Sequence, residues 1–202
     1  MGILVQSVAL VGICAAVAWF IYDGSLFSYH PVLMSTAYLA FMGNGVLVAR
    51  VADKGPISER KASYWRHMIL TGLGVMLATA GGAAIYLNKE GLGKEHLTSI
   101  HGMAGAATTM VAMGISMGGS AIFFKLIPTK LLGAVKKVHR MGGRIVFVMG
   151  SIAAASGLQP FNPGHPVNRG TASHVMAGFT VLAAVATVFG PIPKPAAALK
   201  AE

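Results

Sequence analysis

Six stretches of this 202-residue chain, 1–22, 24–49, 67–88, 96–124, 145–168 and 170–193, contain no Lys, Arg, Asp or Glu. Each is long enough for a helix to cross a bilayer, which takes about 20 residues. A segment in hydrocarbon must satisfy its backbone N–H and C=O groups internally, so these stretches are expected as helices. Only 11% of the residues are charged and 54% are apolar, against roughly 25% charged in a soluble domain. The fold class expected is therefore all-α: a polytopic membrane protein with six transmembrane helices. The fifth helix is expected to start before its charge-free window, near Leu131, with its basic residues at the lipid headgroups. The connections are too short to fold separately, so residues 1–202 are read as one domain.

The first stretch lacks a basic leader, and its apolar run exceeds the roughly 7–15 residues of a signal-peptide core. It is expected to remain as helix one. The single cysteine, Cys14, lies inside it, which rules out a disulfide framework and a Cys-x-x-Cys-His site for covalent haem.

A net charge of +10 suggests nucleic acid until its placement is considered. One face, formed by both termini and the loops after helices two and four, carries thirteen of the sixteen Lys and Arg residues, Arg50, Lys61, Arg66, Lys136 and Arg144 among them. The other carries Lys89, Lys94 and Arg169. The charge thus reports topology: by the positive-inside rule the first face, with both termini, is cytoplasmic.

His30, His67, His101 and His139 each lie near the start of a different apolar stretch, 37, 34 and 38 residues apart. Each spacing is about one crossing plus a short loop, so successive histidines alternate in depth. His30 and His101 share the non-cytoplasmic level, and His67 and His139 the cytoplasmic one. Ionisable groups at membrane depth are costly and mark function, and neutral imidazole is an axial haem ligand. The pattern fits two non-covalent haem b groups, each held by one pair. With a hydrocarbon core of about 30 Å, the irons are expected roughly 15–20 Å apart. Small residues follow one turn after three of the histidines: Thr71 and Gly74, Gly105, and Gly142 with Gly143. They leave room for a flat disc or, equally, let helices approach, as Gly114 and Gly118 are expected to do. His174 lies at the depth of His30 and His101, and spacing alone admits it too.

Residues 25–35, SLFSYHPVLMS, and 89–105, KEGLGKEHLTSIHGMAG, resemble segments around the first and third haem histidines of the cytochrome b561 family, in its "domain-containing protein 2" branch. The resemblance covers about residues 25–157. It implies a four-helix diheme core flanked by helices one and six, with His30/His101 on one haem, His67/His139 on the other and His174 on neither. The chain lacks the ALLPGTER-like segment of the vesicular and plant ascorbate-linked members. The resemblance further implies an oxidoreductase passing electrons from cytosolic ascorbate to ferric iron or monodehydroascorbate on the far side, an endomembrane location and a homodimer.

Ascorbate is an anion, and Lys61, Arg66 and Lys136 surround the cytoplasmic pair with positive charge, Arg66 and Lys136 closest in register. Lys137 and Arg140 add to this charge or, alternatively, face lipid phosphate. On the other face His96 and Lys94, with Tyr29, are the candidates to position an acceptor, while His165 in NPGHP reads as a turn residue. Two competing readings are a quinone-linked diheme cytochrome b and an accessory subunit of a larger respiratory or photosynthetic complex. A proton-coupled transporter is disfavoured, because no Asp or Glu lies inside a span to form a relay.

Overall fold

The computed structural model describes residues 3–158 and 171–191, and all regular structure among them is helical. Six helices follow one another: α1 Ile3–Ile21, α2 Leu26–Lys54, α3 Ile57–Gly91, α4 Ile100–Phe123, α5 Thr129–Gly157 and α6 Thr171–Phe189. Helices α1 to α4 are each long and apolar enough to cross a membrane, and α6 contains the shorter apolar run Ser173–Phe189. Helix α5 has the length, but it bears Lys130, Lys136, Lys137, Arg140 and Arg144 between its start and its middle turns. It begins at Thr129, close to the expected start, because a basic residue does not end a helix when its long side chain can carry the charge away from apolar surface.

Helix α3 is longer than its charge-free window. It starts at Ile57 rather than near residue 67, and its 35 residues extend to about 52 Å at 1.5 Å per residue. The extra turns contain Glu59, Arg60, Lys61 and Arg66, which a window defined by absence of charge discards. At this end Trp65 packs edge-on against Phe123, ring centres 4.9 Å apart, as an aromatic pair does at a membrane boundary. Helix α4 instead starts later, at Ile100, where the Ser99 side chain accepts from the Gly102 N–H and caps the first turn. The short link between α1 and α2 is held by Asp23, whose carboxylate accepts from the Ser25 N–H at 2.9 Å. Its bonds to Ser25 hold the Asp23 carboxyl below the ordinary carboxylate range.

Helix α2 is not uniform. Over Thr36–Gly43 its hydrogen bonding loosens to π-helical, which amounts to an extra residue in an α-helix. Two carbonyls of this region gain side-chain donors: Asn44 Nδ2 to Ala40 O at 2.6 Å and Cys14 Sγ to Ser35 O at 3.2 Å. Tyr38, on the π segment, is buried at the centre of the bundle among Met42, Ala78, Ala112 and Phe147. Its ring lies so close to α5 that a Cβ on Gly150 would collide with it. The Tyr38 hydroxyl is 3.2 Å from Thr109 Oγ1 of α4, which satisfies a polar group deep in the bundle.

The most extensive helix contacts are α4 with α5 and α2 with α3, and α1 and α6 pack beside this four-helix core. Helix α1 docks through Leu10 and Cys14 onto Leu39 and Leu47, and through Val17 onto Ala155 and Ala177. Arg50 ties the end of α2 to the end of α6 by donating to the Thr187 and Gly190 carbonyls, so a cation covers acceptors left open at a helix C-terminus.

Candidate functional site

The four histidines project from α2, α3, α4 and α5 into the core and meet as two pairs. The His30 and His101 ring centres are 6.0 Å apart with planes at 87°, and the His67 and His139 centres are 6.0 Å apart at 85°. These are the pairs that depth parity predicts.

Each ring is anchored by the helix next to its own in sequence. His30 Nδ1 donates to Gly81 O at 2.9 Å and His67 Nδ1 to Gly45 O at 2.8 Å, so α2 and α3 hold one another's histidines. Helices α4 and α5 do the same: His101 Nδ1 donates to Ala153 O and His139 Nδ1 to Ile115 O, both at 3.0 Å. His101 has Ser156 Oγ as a further neighbour at 3.2 Å. A carbonyl accepts only, so the proton of each neutral ring sits on Nδ1 and the lone pair on Nε2. An iron bound by two imidazole nitrogens at about 2.0 Å, with each ring centre about 1.1 Å behind its nitrogen, needs ring centres about 6 Å apart. The spacing and the tautomer of both pairs therefore fit a bis-imidazole iron.

The anchoring carbonyls also measure the distance between levels. Fourteen residues separate His67 from Gly81, His101 from Ile115 and His139 from Ala153, while 15 separate His30 from Gly45. Fourteen α-helical residues span about 21 Å along the helix axis. The odd residue in α2 coincides with its π segment, which takes up one residue and keeps α2 in step with the other three helices.

Glycine plays a different part from the one that spacing suggests. The glycines that admit the imidazoles belong to the facing helix: a Cβ on Gly119 would lie 2.5 Å from His139 Cε1, and one on Gly157 2.8 Å from His101 Cε1. Gly143 and Thr71 do line the space beside His67 and His139. Gly74 and Gly142 instead receive Met42 and Ile115, and at Gly114 and Gly118 a Cβ would meet nothing within 4 Å. The expectation that Gly114 and Gly118 bring helices together within the chain is thus not met. A signal for Gly119 and Gly157 exists only once the helix pairing is known, since each lies four residues after the carbonyl that anchors the same ring.

A cavity of about 430 Å³ opens beside His67 and His139, within the range of ligand pockets. Lys136 lines it, together with Arg50, Arg140 and Arg144. Arg66 and Lys61 are exposed on α3 and are not among its walls. Asp53 is the carboxylate of the cavity wall and accepts from the Tyr64 hydroxyl at 2.8 Å. At the other end His96 stacks on Tyr86 with ring centres 4.3 Å apart and pairs with Glu90 at 2.7 Å. Lys94 is exposed in the same loop, and the Tyr29 and Tyr22 hydroxyls are 3.0 Å apart. His174 is exposed on α6 and belongs to neither ring pair. His165 and Arg169, like Lys194 and Lys200, lie outside the described residues.

Comparison with known proteins draws on most of this bundle. A family model described as eukaryotic cytochrome b561 matches residues 29–161. The transmembrane reductase CYB561D2 of Mus musculus is 35% identical over 136 residues, covering 66% of this chain and 61% of that protein. The ascorbate-specific transmembrane electron transporter 2 of Zea mays is 26% identical over 125 residues, 61% of this chain and 52% of its own length. The lysosomal membrane ascorbate-dependent ferrireductase CYB561A3 of Danio rerio is 26% identical over 145 residues, 69% of this chain and 57% of the relative. The chain thus spans between about half and three fifths of the length of these relatives.

Proposed function

Because the chain belongs to the cytochrome b561 family, we propose that it is a transmembrane oxidoreductase carrying electrons from cytosolic ascorbate to ferric iron or monodehydroascorbate across the membrane. The single observation that carries this reading is the pair of imidazole clamps, each with ring centres 6.0 Å apart, at opposite ends of one four-helix core. His30 and His101 would hold one haem b and His67 and His139 the other, within one domain whose core covers about residues 25–157. When bound, the haems supply reversible one-electron chemistry at a fixed place in the membrane.

The chain's own residues do the rest. The four Nδ1–H···O=C bonds hold the imidazoles in one tautomer and orientation, and such partners also raise ligand basicity. Packed helices keep water from the core. Lys136 in the cavity wall attracts the ascorbate anion, and Arg66 and Lys61 add field from the exposed start of α3. On the far face His96 and Lys94 receive the acceptor. His96 offers an imidazole already oriented by Glu90 and Tyr86.

The test is to purify the full chain, count b-type haems per chain and mix it with ascorbate in a stopped-flow spectrometer, then repeat with ferric chelate sealed inside vesicles. Two haems, prompt reduction and appearance of ferrous iron inside are expected. A haem-free protein, or one reduced by quinol and never by ascorbate, would overturn the proposal.

A further inference from the structure

Helix α5 carries five basic residues and no acidic one, and among the described residues none of its cations forms an ion pair. Among the described residues the ion pair formed is His96 with Glu90, at the opposite end of the bundle. Nearby Asp53 is engaged by Tyr64, and Arg50, bound to the end of α6, adds a like charge.

Arg144 is the most demanding member. It lies five residues beyond His139 in the direction of Ala153, about 7–8 Å further into the bundle. Its side chain is nonetheless exposed, and an exposed guanidinium between the two ring levels is costly in lipid without an anionic partner. Lys137, Arg140 and Arg144 repeat at helical spacing on one face of α5. Together with Lys136 they line a groove of about 650 Å³ that adjoins the histidine cavity and shares Lys136, Arg140 and Arg144 with it. The remainder of the wall is largely apolar, from Met141 and Ile145 of α5 and Phe189 at the end of α6.

Cations alternating with apolar side chains along one groove of a membrane-spanning bundle match one ligand class. We propose that this groove binds the headgroup of an anionic phospholipid, with its phosphate at Lys137, Arg140 and Arg144 and an acyl chain along Met141, Ile145 and Phe189. A soluble anion would satisfy the cations but leave the apolar wall unmatched, which is why the lipid is favoured. Basic pockets between helices are known places for acidic headgroups. The groove shares Lys136, Arg140 and Arg144 with the histidine cavity, whereas Lys137, Met141, Ile145 and Phe189 line the groove and not that cavity, so the Lys137 variant reads the lipid site apart from the redox reading.

The full chain, purified in detergent, is titrated with phosphatidylserine or phosphatidylcholine and the adducts are counted by native mass spectrometry. One retained phosphatidylserine per chain and no retained phosphatidylcholine are expected. Lys137→Gln and Arg144→Gln should each weaken retention about fivefold, and Lys137→Arg should restore it. Lys137 is exposed, so its variant tests the site even where Arg144→Gln does not fold. Equal retention of the two lipids overturns the proposal, as does retention that Lys137→Gln leaves unchanged. Displacement of phosphatidylserine by millimolar inorganic phosphate would show a soluble-anion site, and a bound second copy of the chain in place of lipid would show a protein interface. Either result also overturns it.

Discussion

Replacing Gly119 by alanine places one carbon where the His139 ring already stands. The added Cβ would be 2.5 Å from Cε1, 3.0 Å from Nδ1 and 3.2 Å from Nε2. Carbon atoms settle near 3.5 Å, so the ring must retreat by about 1 Å. Retreat stretches the Nδ1–H···O=C bond to Ile115, now 3.0 Å, towards the limit beyond which it no longer counts as a hydrogen bond. It also moves Nε2 by several times the roughly 0.2 Å that a metal-ligand distance tolerates. Leaving a buried donor unsatisfied costs about 1–3 kcal/mol, more than the roughly 0.5–1 kcal/mol that alanine gains over glycine in a helix. Loss of an outer partner of a ligating histidine typically weakens metal binding about 10–100-fold. The variant should therefore retain the His30/His101 haem and lose most of the other. The assay is haem per chain by the pyridine haemochromogen method, read beside the absorption spectrum and a redox titration. Gly118→Ala is the control, because its Cβ would meet nothing within 4 Å, and it should keep both haems. A Gly119→Ala protein with two haems and an unchanged titration would refute the packing argument.

His139→Ala should remove only the haem of its own pair, since His30 and His101 are anchored by other carbonyls; spectra showing loss of neither haem would reject the pairing. Deletion of Ala40, inside the π segment, should leave both haems bound, because it gives α2 the 14-residue α-helical interval of the other core helices. Loss of the haem at either end of α2, seen in the same haem count, would mean that the extra residue does more than keep register.

Much of this architecture is legible along the chain because membrane depth is nearly a one-dimensional quantity. Charge-free windows locate the helices, the alternation of crossings assigns His30 and His101 to one level and His67 and His139 to the other, and the basic loops distinguish the two ends. The boundaries are less legible where a helix outlasts the bilayer, as α3 does at Lys61 and Arg66. Charge excludes a residue from lipid but does not stop it from being helical.

Depth alone leaves open which helix faces which and at what rotation. The carbonyls of Gly45, Gly81, Ile115 and Ala153 carry no side-chain signature, and their bonds to the histidines follow from how α2 meets α3 and α4 meets α5. The same holds for Gly119, which resembles Gly118 in sequence yet alone touches a ring, and for the π segment, whose extra residue is apparent only against the other three helices. Arg144 likewise reads as one more positive-inside residue until the fold leaves it exposed beside a groove without a carboxylate. Hydrophobic and charge patterns are free-energy statements about transfer between water and lipid, so they fix depth and polarity. Azimuth, register and partner depend on close packing of unlike surfaces, and those surfaces come together only when the bundle has formed.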